Sequence, residues 1–163
     1  MAASNTADVT EEEFFTSSRC PTAGETLAMA LLHAIHGARG FLFYSDFDLR
    51  KSHESLRYDA RWKELCEIGE TLRELEPFIM SAIPHVKIPV KAAVGRVDAA
   101  LMRTDSAKAA LVIVSPLREG GQADIQWEGL PSGMSSKFGR TIESAPGLYR
   151  YVGAAADYDI LMN

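Results

Sequence analysis

The chain is short of cysteine, of clustered basic charge and of long unbroken apolar runs, and each shortage removes a class of function. Its two cysteines, Cys20 and Cys66, stand far apart at no spacing that suits a metal site or a redox pair. A disulfide between them and two free thiols both fit that count. No lysine or arginine cluster offsets the net charge of −5, which comes from 17 basic and 22 acidic residues. Nucleic-acid affinity depends on neutralising phosphates with clustered cations, so no nucleic-acid partner is expected. The most apolar stretch, TLAMALLHAIHGARGFLFY, is interrupted by His33, His36, Gly37 and Arg39. It reads as a buried helix followed by a strand rather than as a membrane span. The opening MAASNTADVTEEEFF lacks the basic start and apolar stretch of a signal peptide. No membrane association is expected, and no compartment is assigned. Internal repeats and low-complexity tracts are also missing.

What remains is the balance of a soluble globular protein, 47% hydrophobic and 24% charged. Residues 1–18 are small, polar and acidic, and read as a flexible leader. Thr22 followed by Glu25 is a capping box, in which each side chain satisfies an orphan N–H at a helix start. The helix is expected over 23–35, ending at Gly37, with apolar residues nearly all round. Phe41-Leu42-Phe43-Tyr44 then predicts a strand over 40–44, which breaks into Ser45-Asp46-Phe47-Asp48. Beyond a polar loop, Tyr58, Trp62, Leu65, Ile68, Leu72, Leu75 and Ile79 recur every three or four residues. That stripe predicts a second helix over about 58–75, with Trp62 in the core and Pro77 just past the end.

From about residue 85 the period changes to that of strands. They are expected at 97–103, 110–115, 123–128, 148–152 and 158–162, separated by glycine- and proline-containing turns. Short strands at this spacing argue for an antiparallel sheet or sandwich. The residues therefore predict an α+β chain: helix, strand and helix over 19–84, then an antiparallel β-sandwich over 85–163.

Three segments in order, R-C-P-T-x-x-E, H-G-A-R-G-F-L-F-Y-S-D-F-D-L and R-W-K-E-L-x-E-I-G-E-x-L-R-E-L-E-P, carry a resemblance. They resemble the closing units of (β/α)8-barrel glycoside hydrolases, in the group of β-galactosidases and similar secreted glycosidases. The likeness covers roughly residues 19–84. It implies that 19–84 are the terminal βα portion of a TIM barrel, and that a C-terminal β-sandwich follows. Leu111-Val112-Ile113-Val114-Ser115-Pro116 is similar to a sandwich strand of that group, with Ser115 where asparagine is usual. A full barrel needs eight strands and about 250 residues. By the resemblance both catalytic carboxylates would lie upstream, so no catalytic residue is assigned and the chain alone is not expected to hydrolyse a glycoside. It also implies apolar barrel surface left uncovered around helix 23–35, through which the chain would associate.

The resemblance places Tyr44, Asp46 and Asp48 at the substrate-facing end of an eighth barrel strand. There a tyrosine ring would meet a sugar face and the carboxylates would accept hydroxyl hydrogen bonds. As plain loop residues, Ser45 and Asp46 would cap a turn and Asp48 would be solvated. Trp127, in a short strand beside Gly129, is the other candidate for carbohydrate contact, with core packing as its alternative. His33 and His36 lie three apart on one helix but lack a third ligand, so they read as buried, hydrogen-bonded histidines. No metal and no cofactor is expected. Two functions follow: the C-terminal part of a glycoside-hydrolase-like protein, or a stand-alone carbohydrate-binding or interaction module with Trp127 and Tyr151 as its surface contacts. Helix 23–35 separates them, because only the module covers it within the chain.

Overall fold

The computed structural model describes residues 21–43 and 58–163. Helix α1 spans Ala23–Ile35 and helix α2 Tyr58–Ile79. Nine strands follow: β1 (Val86–Ile88), β2 (Ala92–Gly95), β3 (Asp98–Arg103), β4 (Ala109–Ser115), β5 (Gly121–Gln126), β6 (Ser135–Ser136), β7 (Thr141–Ala145), β8 (Leu148–Gly153) and β9 (Asp157–Met162). The fold is α+β, as the sequence predicts. The strands form two sheets, ordered β1-β3-β4-β9-β6 and β2-β5-β8-β7, with every pairing antiparallel.

The capping box forms as expected: Thr22 N donates to Glu25 Oε2 at 2.8 Å, and Glu25 N donates to Thr22 Oγ1 at 3.2 Å. From there α1 buries Leu27, Ala28, Leu31, Ala34 and Ile35 in one cluster with Ile68, Leu75, Phe78 and Ile79 of α2. The same cluster contains Ala110, Val112 and Val114 of β4. On the other face of β4, Ala109, Leu111 and Ile113 meet Ala123 and Ile125 of β5 and Tyr149 and Tyr151 of β8. The molecule is thus layered as helices, five-stranded sheet, four-stranded sheet. Strand β4 is its centre, buried at all seven positions. Continuous burial of this kind is usual in parallel sheets covered on both faces. Here the antiparallel sheet is covered by helices on one side and by a second sheet on the other. The change of period near residue 85 therefore separates helices from strands that pack on one another through one face of the five-stranded sheet.

Several expectations change. Residues 40–43 form no strand; Phe41 packs against the helical core, but Leu42 is 91% exposed. Helix α2 runs through Pro77 to Ile79. Proline removes one backbone donor, and the burial of Phe78 and Ile79 holds the final turn in helical form. Trp62, expected in the core, is 53% exposed and stacks on Tyr58 with ring centroids 6.3 Å apart. On α2, Leu65 is only partly buried against the core and full burial begins at Ile68. His33 and His36 are exposed, not buried, and His36 Nδ1 lies 2.9 Å from Lys87 Nζ.

Two glycines permit close approach around the end of β4. A Cβ on Gly121 would stand 2.6 Å from Val97 Cγ2 and 2.7 Å from Ser115 Cβ. One on Gly153 would stand 2.0 Å from the Tyr151 hydroxyl. Tyr151, expected as a surface contact of the module, is instead fully buried between the sheets, because strand alternation turns it toward β4; its hydroxyl is 2.8 Å from Ser115 Oγ, which also donates to the Ala154 carbonyl at 3.2 Å. Ser115 is thus a buried, satisfied end to β4. Among the described residues, no helix is long and apolar enough to cross a membrane.

Candidate functional site

The four-stranded sheet turns one face to β4 and the other to solvent. Strand alternation decides which side chains appear outside. In β5, Gly121, Ala123 and Ile125 are buried, while Gln122, Asp124 and Gln126 are exposed. In β8, Tyr149 and Tyr151 are buried, while Arg150 and Val152 are exposed. Register then sets the rows across the sheet. Val94 of β2 is paired with Gln122, and Gln122 with Val152. In the next row Asp124 is paired with Arg150, and Arg150 with Ile142 of β7. The result is an open face with a charged pair at its centre, two glutamines on the same strand, and aliphatic side chains on either side. Ile142 is 64% exposed and Val152 51%.

The central pair is two-pronged: Arg150 Nε donates to Asp124 Oδ1 at 2.8 Å and Arg150 Nη2 to Asp124 Oδ2 at 3.3 Å. Hydrogen bonding from Arg150, with its charge, holds the Asp124 carboxyl below the usual range, and the same contact raises Arg150. Both side chains are exposed to solvent, so the pair orients side chains more than it stabilises the fold. It presents a planar array of donors and acceptors, the kind of surface that can exchange hydrogen bonds with hydroxyl groups.

Trp127 follows Gln126 at the end of β5 and is 38% exposed, so its ring is partly available. Its carbonyl accepts from Leu130 N at 3.0 Å, closing a turn in which Gly129 has φ 85. Arg103 Nη2 of β3 ties that turn down by donating to the Gly129 carbonyl at 2.6 Å. The alternation of GQADIQ and LYRYVG is the sequence signal for the outer face of the sheet, whose outward set Gln122, Asp124, Gln126 and Arg150 is polar rather than aromatic. Tyr44, Asp46 and Asp48 lie outside the described residues.

No group of three or more histidine, cysteine, aspartate or glutamate side chains that could hold a metal ion occurs among the described residues. The buried carboxylate Asp159 is structural. Its Oδ1 accepts from Phe138 N and Ile160 N, and its Oδ2 from Ser136 Oγ and Arg140 N, which pins the 136–140 turn to β9. No protein-family model matches the chain, and no curated protein or solved structure matches it significantly.

Proposed function

We propose that this chain acts as a carbohydrate-binding module of α+β architecture, contacting saccharide through the outer face of the four-stranded sheet and the Trp127 turn. The observation that carries the reading is the burial of α1. Leu31 and Ala34 have no exposed surface, and Leu27, Ala28 and Ile35 are nearly as covered, against α2 and the five-stranded sheet. A helix taken from a barrel would lack that cover; a module supplies it. The sheet face supports the saccharide class. Sugar hydroxyls exchange hydrogen bonds with carboxylate, amide and guanidinium groups, and the less polar ring faces lie on aromatic or aliphatic surface. Asp124, Arg150, Gln122, Gln126, Trp127 and Val152 supply that mixture.

The test is calorimetric titration with soluble oligosaccharides and affinity electrophoresis through polysaccharide gels. Binding that falls at least roughly tenfold in Trp127→Ala or Asp124→Ala, with the melting temperature unchanged, supports the reading; such a loss corresponds to about 1.4 kcal/mol. Binding unaffected by either substitution, or absent across the panel, overturns it.

A second reading keeps the chain as the C-terminal part of a glycoside-hydrolase-like protein, in which Tyr44, Asp46 and Asp48 would form the eighth-strand substrate face. Exposed Leu42, Phe43 and Trp62 favour it, because a removed barrel would leave apolar side chains bare beside the helices. Reading the transcript upstream of Met1 separates the two: an in-frame barrel-sized segment with two strand-end glutamates supports the enzyme part, and its absence removes it.

A further inference from the structure

A cleft of about 640 Å³ lies between the end of α2, the β3–β4 hairpin and the end of β9. Its size falls in the range of small-molecule sites, roughly 300–1,000 Å³. Pro77, Phe78 and Met162 give it an apolar wall. Its charged groups are Glu74, Asp105 and Lys108. Glu74 is engaged by the Lys137 ammonium. Asp105 and Lys108 form no ion pair with each other or with any other described residue, although they are three apart on one turn. The cleft therefore offers, at its exposed rim, one anion and one cation with no ion-pair partner among the described residues, beside apolar surface.

The turn that carries them is held in shape. Thr104 N donates to the Lys108 carbonyl at 3.0 Å, Ala107 N donates to the Thr104 carbonyl at 3.0 Å, and the Thr104 and Ser106 hydroxyls lie 2.9 Å apart. Ala107 sits at φ 63, in the left-handed region that disfavours a side chain. A fixed turn lowers the ordering cost of binding.

We propose that this cleft binds a small zwitterion of the α-amino-acid class with an apolar side chain. Asp105 accepts from the ligand's ammonium group, Lys108 donates to its carboxylate, and its side chain lies against Pro77 and Met162. A purely anionic or cationic ligand would leave one protein charge repelled, whereas a zwitterion satisfies both. The inference uses residues apart from the proposed saccharide face and stands or falls without it.

The experiment is an amide-resolved NMR titration of the intact chain with L-leucine, N-acetyl-L-leucine, L-leucinamide and maltose. Saturable shifts with leucine, confined to Ser81, Thr104–Lys108 and Asn163, are expected. Each blocked analogue should bind at least roughly tenfold more weakly, as loss of a charge-assisted hydrogen bond implies. Asp105→Asn and Lys108→Gln, both on an exposed turn, should each weaken leucine binding to the same degree while leaving the remaining spectrum unchanged. No saturable shift with leucine, equal binding of the blocked analogues, or maltose shifting these resonances in place of leucine overturns the proposal.

Discussion

Leu111-Val112-Ile113-Val114 and Phe41-Leu42-Phe43 are equally apolar in sequence, but their places in the fold are opposite. The first lies in β4 between two partner strands and between two covering layers, with no exposed side chain. The second has no ladder partner among the described residues; Phe41 reaches the helical core, while Leu42 and Phe43 stand 91% and 43% exposed. Hydropathy alone does not distinguish them. What differs is β-branching and neighbours: three of the four residues of the β4 run are valine or isoleucine, which suit a pleated surface. Just as important, β3 lies one short turn away and pairs with it residue for residue from Asp98↔Val114 to Arg103↔Ala109. A run becomes a buried strand when strands on both sides meet its backbone groups.

The sharpest way to break this comparison is to truncate one leucine in each run. Leu111→Ala removes a fully buried side chain between two sheets and is expected to cost about 2–5 kcal/mol. Leu42→Ala is expected to change stability by less than about 0.5 kcal/mol, as exposed positions do. Urea unfolding of both variants checks this. Similar losses at the two sites would mean that Leu42 is covered in solution.

The same contrast explains how much of the fold was legible. Every strand anticipated after residue 85, namely β3, β4, β5, β8 and β9, is an interior strand of its sheet. The four that were missed, β1, β2, β6 and β7, are the four sheet edges. Interior strands need apolar residues on at least one face, which writes a period into the sequence. Edges are paired on one side only, and tolerate proline flanks such as Pro84 and Pro89 and exposed residues such as those of TIESA. The helix stripe misled for a related reason. Periodicity placed Trp62 on the same face as Ile68 and Leu75, but it carried no information about where along α2 full burial begins. The candidate face was half legible: Trp127 stood out by residue type, whereas Gln122, Asp124 and Arg150 acquire meaning only once register sets them in rows.

A second, intermediate effect concerns the layer that covers β4. Burial raises the Tyr151 hydroxyl pKa to about 12, and raises Tyr149 and Tyr158 in the same direction. In the unfolded chain a tyrosine ionises near 10. Between about pH 10 and 12 the folded protein therefore holds more protons than the unfolded one, and stability falls as pH rises through that window. Below pH 10 these groups are neutral in both states and contribute no slope. Melting temperature followed across this range should drop in wild type and drop less in Tyr151→Phe. That variant should itself be less stable at neutral pH, because Ser115 loses a partner. An unchanged alkaline slope in Tyr151→Phe would mean that the cover over β4 opens before its tyrosines titrate.

The smallest expected effect tests whether that cover is as tightly satisfied as the strand beneath it. Thr141 of β7 stands opposite Tyr151 in the ladder and is 5% exposed, and its hydroxyl has no hydrogen-bond partner among the described residues. Ser115, at the end of β4, is fully buried and has its hydroxyl satisfied. A buried hydroxyl without a partner costs about 1–3 kcal/mol of desolvation, and replacing it with a methyl group removes that cost. Thr141→Val keeps the branched shape and the strand preference, so it should stabilise the chain by up to about 1 kcal/mol. Removing the hydroxyl at Ser115, by Ser115→Ala, should destabilise it, because that strands the Tyr151 hydroxyl in the core. Opposite signs in the two melting curves would show that the central strand is the better satisfied of the two regions, and that the edge of the second sheet still carries an uncompensated polar group.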